Sequence, residues 1–122
     1  MGRKRQPWTG EALGPAGGIR ARIDDLARLA SALLDGTAPG TAALHPVENF
    51  TGPVVRIGAA WLTIERNGRA ITWHNGGTGG FRSWLGLDLA AGTAVALLSA
   101  TAIPVDQHGF ALLEQLTEDE GR

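Results

Sequence analysis

Between Val54 and Ser99 the chain carries short runs rich in β-branched and aromatic residues, separated by turn signals too short to hold a helix. Val54 to Glu65 is followed by Arg66-Asn67-Gly68-Arg69, whose Asn-Gly pair signals a tight hairpin turn, and then by Ala70 to His74. After a glycine-rich run at 76–80, Phe81 to Leu89 and Thr93 to Ser99 read as two further strands joined through Ala90, Ala91 and Gly92. Short connections make consecutive strands antiparallel neighbours. The stretch is therefore expected to form an antiparallel meander of three to four strands.

Helical patterns flank it. Ile23, Leu26, Ala27, Leu29, Ala30, Leu33 and Leu34 fall on one stripe, Asp24 and Asp25 suit the positive end of a helix dipole, and Gly36 supplies a stop, so a helix is expected over about 22–35. Residues 36–53, with Pro39, Gly40, Pro46, Gly52 and Pro53, read as a connecting loop. From Asp106, a candidate N-cap after Pro104, to Thr117, the spacing of Phe110, Leu113 and Leu116 predicts a second helix. Residues 1–18 read as an irregular lead-in, leaving 19–122 as the folded part. The expected class is α+β, with the meander flanked by an N-terminal and a C-terminal helix. So small a set of elements makes a thin core, and an uncovered sheet face would have to meet a partner.

At 122 residues, 43% hydrophobic and 19% charged, one globular core is expected, and no apolar run is long enough to cross a bilayer. A net charge of −1 argues against nucleic acid as a partner, and the one basic cluster, Arg3-Lys4-Arg5, reads as a solvated tail. The Met1-Gly2 start departs from a myristoylation pattern at Gln6, and no secretion signal follows, so the chain as written is expected in the cytosol, off the membrane. Without cysteine there is no disulfide framework or thiolate chemistry. His45, His74 and His108 are scattered, without ligand spacing, so neither a metal nor another cofactor is expected.

The segment that can carry chemistry is His74-Asn75-Gly76-Gly77-Thr78-Gly79-Gly80-Phe81-Arg82-Ser83-Trp84. Its glycines permit positive φ and let a ligand lie against bare backbone. Composition leaves two readings open: a chain reversal, or a backbone that presents N–H groups to an anion. A phosphate loop is disfavoured, because the run lacks a Lys-Ser/Thr ending and leads into a strand.

His74-Asn75-Gly76, continued by Thr78-Gly79-Gly80-Phe81, resembles the third signature of the β-lactamase and penicillin-binding superfamily, which reads Lys-Thr-Gly in many members and His-x-Gly in esterase- and peptidase-like ones. The Thr78-Gly79-Gly80-Phe81 run resembles the one that follows the triplet in class C relatives, and Pro15-Ala16-Gly17-Gly18-Ile19 with Asp25-Leu26-Ala27-Arg28 resembles the Gly-Gly turn and helix that precede the motif in the family, so the resemblance covers roughly 14–117. It implies serine-hydrolase chemistry on a β-lactam, a D-amino-acid peptide (as in D-alanyl-D-alanine carboxypeptidases) or an ester. It further implies that His74 faces the cleft to hold a carboxylate or assist proton movement, and that the Gly77 N–H completes an oxyanion hole. Asn75, Gly76, Thr78 and Arg82 are the implied substrate contacts. His at 74 in place of Lys leans towards the esterase and peptidase branches.

The family mechanism also needs Ser-x-x-Lys and Tyr-x-Asn or Tyr-x-Ser motifs. This chain has no tyrosine, its only lysine is Lys4, and Ser31, Ser83 and Ser99 are followed three residues on by Leu34, Gly86 and Ala102. The expectation is a C-terminal portion, inactive alone, from a truncated frame, a gene fragment or a separately encoded half. Its partner would be an N-terminal half or, through an exposed apolar face, a second copy. The rival expectation is a non-catalytic sheet-and-helix interaction module.

Overall fold

The computed structural model describes residues 3, 4, 6, 9–12 and 14–121. In chain order they form α1 (Gly14–Gly17), α2 (Ile23–Asp35), a 3₁₀ turn (Thr41–Leu44), β1 (Glu48–Thr51), β2 (Val55–Ile57), β3 (Leu62–Arg66), β4 (Arg69–Thr78), β5 (Phe81–Asp88), β6 (Thr93–Ser99) and α3 (Asp106–Glu120). The strands make one antiparallel sheet in sequence order. The α+β class and the flanking helices are as expected, while the meander has six strands, not three to four. No helix among the described residues is long and apolar enough to cross a membrane. Part of the expected lead-in, including Arg5 of the basic cluster and the Met1-Gly2 start, lies outside the described residues. Gly14–Gly17 within it closes a single helical turn.

Two of the additional strands come from places where local chemistry hides the pattern. β1 falls inside the expected loop, and all four of its side chains are exposed, so it pairs through backbone alone and shows no alternation of apolar and polar residues. The run from Val54 to Glu65 breaks into β2 and β3 because Gly58 lies against the carbonyls of Ala43 and His45 with no room for a Cβ, and Ala60 turns through φ 69°. The Asn67-Gly68 turn is as expected, with φ values of 49° and 77° that suit these residue types.

α2 begins with Asp25 Oδ2 accepting the Arg22 backbone N–H at 3.0 Å and ends at Gly36, whose φ of 78° is left-handed. At the other end of the chain, Val105 precedes α3 as its cap residue and Asp106 is its first helical residue. The Asp106 carboxylate is not used as an N-cap and turns to Asn75 instead.

Alternation along β5 divides the sheet. Leu85 and Leu87 face α2, where Leu87 packs with Ala30, Leu33 and Leu44. Trp84, Gly86 and Asp88 face α3, and there Trp84 packs with Ile71, Phe110 and Leu113. Trp84 lies in a slot between two glycines: a Cβ on either Gly86 of the sheet or Gly109 of α3 would run into its indole ring. Phe110 stands edge-on to both Trp73 and Trp84 at 5.0 Å, and Arg66 covers Phe110 at 4.4 Å while its Nε donates to Glu114 at 2.9 Å. Asp88, almost fully buried, accepts from Arg69 Nη1 at 3.2 Å and from the Ala91 N–H at 3.0 Å, closing the β5–β6 turn.

Replacing Gly109 with Ala sets about 1 kcal/mol of helix propensity against roughly 1–3 kcal/mol of overpacking on a rigid ring. A net destabilisation is expected in chemical denaturation, and the sign should reverse when Trp84→Leu empties the slot. At the end of α2, the Thr37 hydroxyl and then the Thr37 N–H hold the Asp35 carboxyl below its ordinary value of 3.8. Because the folded pKa is depressed, the contribution is present above the ordinary value and is lost as pH falls through the lowered one. An NMR titration is expected to give Asp35 a midpoint below 3.8 that Thr37→Val raises.

Candidate active-site wall

The glycine-rich segment is ladder for most of its length. β4 continues through the glycines to Thr78, with His74 opposite Leu85, Asn75 opposite Trp84, Gly76 opposite Ser83, Gly77 opposite Arg82 and Thr78 opposite Phe81. Gly79-Gly80 makes the reversal, and of the segment's glycines only Gly79 has a positive φ, of 21°. Positive φ therefore does not explain glycine at 76 and 77.

Strand alternation separates the expected site residues. His74, Gly76 and Thr78 share the α2 face with Ser83, whereas Asn75, Gly77 and Arg82 share the α3 face with Trp84. His74 is exposed, and its Nδ1 lies 2.5 Å from the Asn75 carbonyl oxygen. Across the sheet, Asn75 Nδ2 donates to Asp106 Oδ2 at 3.1 Å, and Arg82 Nε donates to the Ala102 carbonyl at 3.1 Å.

What the two faces share is a strand edge. β3 begins at Leu62, opposite Trp73, so β4 beyond Trp73 has β5 on one side and no strand on the other among the described residues. In an antiparallel ladder, directly opposed residues alternate between exchanging both backbone bonds and exchanging none. A two-residue turn makes Thr78 and Phe81 an exchanging pair, so Gly76 and His74 also point to β5. Asn75 and Gly77 accordingly direct their N–H and C=O groups out of the open edge.

Side chains occupy the space over the two glycines. A Cβ at Gly76 would meet the Ser83 hydroxyl, and one at Gly77 would meet the Arg82 guanidinium, which passes over the strand there. Asn75, Gly76, Gly77, Arg82 and Ser83, with Pro104, Val105 and Asp106 from the start of α3, line a polar pocket of about 230 Å³. Arg82 and Asp106 bring opposite charges to its wall. Asp106 is the member that sequence reading assigned to another role, because its partner Asn75 is 31 positions away.

None of the three serines among the described residues is hydrogen-bonded to a histidine or lysine. Ser31 is exposed on α2, Ser83 is half-buried over Gly76, and the Ser99 hydroxyl pairs with Thr101 at 3.1 Å. No group of three or more His, Asp or Glu side chains among the described residues is placed to hold a metal.

Helices thus flank the sheet on both faces, and the glycine-lined end of β4 is left open along one edge among the described residues. The family model described as Beta-lactamase matches residues 1–116, and the chain belongs to that family of β-lactamase-like hydrolases. No curated protein and no solved structure matches it.

Because only a rotatable hydroxyl stands where a Gly76 methyl would go, Gly76→Ala is expected to cost less than about 1 kcal/mol, with most of the loss removed by Ser83→Ala in a double-mutant cycle. Urea denaturation of the four proteins measures it. A large cost that persists without the Ser83 hydroxyl would make Gly76 a packing requirement of the sheet.

Proposed function

We propose that this chain supplies the His-x-Gly wall and the oxyanion side of an acyl-transfer site, and that the nucleophilic serine comes from a segment carrying Ser-x-x-Lys and Tyr-x-Asn, an N-terminal half of the same kind of hydrolase. The supporting observation is the open edge of β4, where Gly77 directs its N–H away from the sheet. Acyl transfer builds negative charge on a carbonyl oxygen, and a preorganised backbone donor needs no rearrangement to stabilise it. His74, next to the same edge and open to solvent, is the group to hold a substrate carboxylate or move a proton. Asn75, Gly76, Thr78 and Arg82 are the proposed substrate contacts. Because β4 separates them between two faces, Asn75 and Arg82 act from the α3 side, and Gly76 and Thr78 from the α2 side. His at 74 favours esters and D-amino-acid peptides over β-lactams, the chemistry of the esterase and carboxypeptidase branches.

A second reading, a non-catalytic interaction module, draws support from exposed Ile19, Val47, Phe50, Phe81 and Ile103. The two readings part on acylation. Mass spectrometry of the chain alone after exposure to p-nitrophenyl acetate or a reactive β-lactam is expected to show no stoichiometric adduct. An adduct on Ser31, Ser83 or Ser99 would refute the need for an external nucleophile.

Mixed with a separately expressed segment that carries the two missing motifs, the chain is expected to promote acylation of that segment's serine. Gly77→Pro removes the proposed donor without breaking a bond to β5 and is expected to slow acylation by roughly 10²- to 10³-fold. No acylation in the mixture favours the interaction module.

A further inference from the structure

Arg82 and Asp106 carry opposite charges into one pocket and do not pair with each other. No salt bridge joins them among the described residues, and each is held instead by a neutral group. Arg82 Nε donates to the Ala102 carbonyl at 3.1 Å, and the Asp106 carboxylate accepts from Asn75 Nδ2 at 3.1 and 3.3 Å. Opposite charges facing one small cavity attract, so anchors on both are what keep them apart across its 230 Å³.

We propose that this pocket binds an α-amino acid group as a zwitterion, with its ammonium on Asp106 and Asn75 and its carboxylate on Arg82. Three features favour it. The first is the acceptor end. A carboxylate can only accept, so the amide nitrogen is the side of Asn75 that faces Asp106, and Asn75 Oδ1 is left for another donor. That oxygen and the remaining lone pairs of the half-buried Asp106 form a group of acceptors, which suits the three donors of an ammonium.

The second is the donor end. Glycine at 77 leaves the space that the Arg82 guanidinium passes through. With Nε engaged by Ala102, both Nη groups are without a protein partner among the described residues. A guanidinium fixed at Nε and open at Nη presents a fork that can hold a carboxylate through two parallel bonds.

The third is spacing and charge balance. Asp106 is anchored at Asn75 and Arg82 crosses at Gly77, two residues apart on the same face of β4, roughly 7 Å. With a hydrogen bond of ~2.8 Å at each end, the gap fits two charges on a single carbon and is too short for charges at opposite ends of an extended chain. A lone anion would bring its charge against Asp106, and a lone cation against Arg82. A ligand with both charges satisfies both walls, and the mismatched charge disfavours its singly charged relatives. That the amino acid group belongs to an acyl-transfer substrate rests on the function proposed above. Its binding to this chain does not, since no nucleophile takes part.

The test is a titration of the purified chain at neutral pH with glycine, glycinamide and N-acetylglycine, which carry both charges, the ammonium alone and the carboxylate alone. Amide NMR shifts report binding, with the Gly77 N–H and the Asn75 side-chain amide as local reporters. Glycine is expected to bind tightest, by roughly fivefold over either other probe, the scale of one partly exposed charge pair. Asp106→Asn is expected to move the preference to N-acetylglycine, and Arg82→Gln to glycinamide, a crossed pattern that loss of structure would not produce. If a variant loses its dispersed amide spectrum, the ranking of the three probes on the unaltered chain decides. Equal affinities, tighter binding of a singly charged probe, shifts that bypass Asn75 and Gly77, or no shift with glycine each overturns the proposal. Acylation in the reconstituted pair is read separately, so the pocket and the acyl-transfer wall fail by different measurements.

Discussion

Two tight turns, Asn67-Gly68 and Gly79-Gly80, lock β4 into a single register against both neighbours, and the placement of every site residue depends on that register. A slip of one residue would carry His74 to the α3 face and Asn75 to the α2 face, and would turn the Gly77 N–H inward to β5. The turns also set the mismatch in strand length. β3 begins only opposite Trp73 while β4 continues to Thr78, and the difference is the open edge. An edge produced by strand lengths needs no charged or metal-binding group to maintain it.

The two faces of that sheet are held by unequal means. On the α3 side Trp84, Ile71 and Leu113 are almost fully buried, and large-to-small changes at such positions typically cost 2–5 kcal/mol. On the α2 side the buried cluster among the described residues is aliphatic, Ala30, Leu33, Leu44 and Leu87, and the ion pairs Arg22–Asp24 and Arg28–Asp25 are solvent-exposed, where such pairs contribute about 0–1 kcal/mol. Packing with α3 therefore fixes the β4–β5 hairpin, while α2 leaves a groove beside β6. The hairpin that carries the candidate site rests on the side with the aromatic cluster of Trp73, Trp84 and Phe110.

Residues whose side chains meet the core announced their elements. Leu33 and Ala30 marked α2, Phe110 and Leu113 marked α3, and β5 and β6 were visible as largely apolar runs between turn signals, as befits strands that lie between helices. Glu48–Thr51 was not legible, since a strand exposed on all four side chains leaves no hydrophobic period to read. Nor was the break at Gly58, which follows from a close approach to Ala43 and His45 in the turn before β1. For the site, the segment and the prominence of Gly77 could be read from glycine content and motif. The division of its residues between two faces was legible only once the glycines were known to continue the strand, and the Asn75–Asp106 bond required the docked position of α3.

The aromatic cluster beneath α3 has an optical consequence. Trp73 and Trp84 stack with centroids 6.4 Å apart and a 24° angle between planes, and Phe110 of α3 stands against both. Two indoles this close couple electronically, and their near-ultraviolet dichroism depends on their mutual angle. With no tyrosine in the chain to overlay the signal, that band is a built-in gauge of how firmly the last helix is seated behind the site.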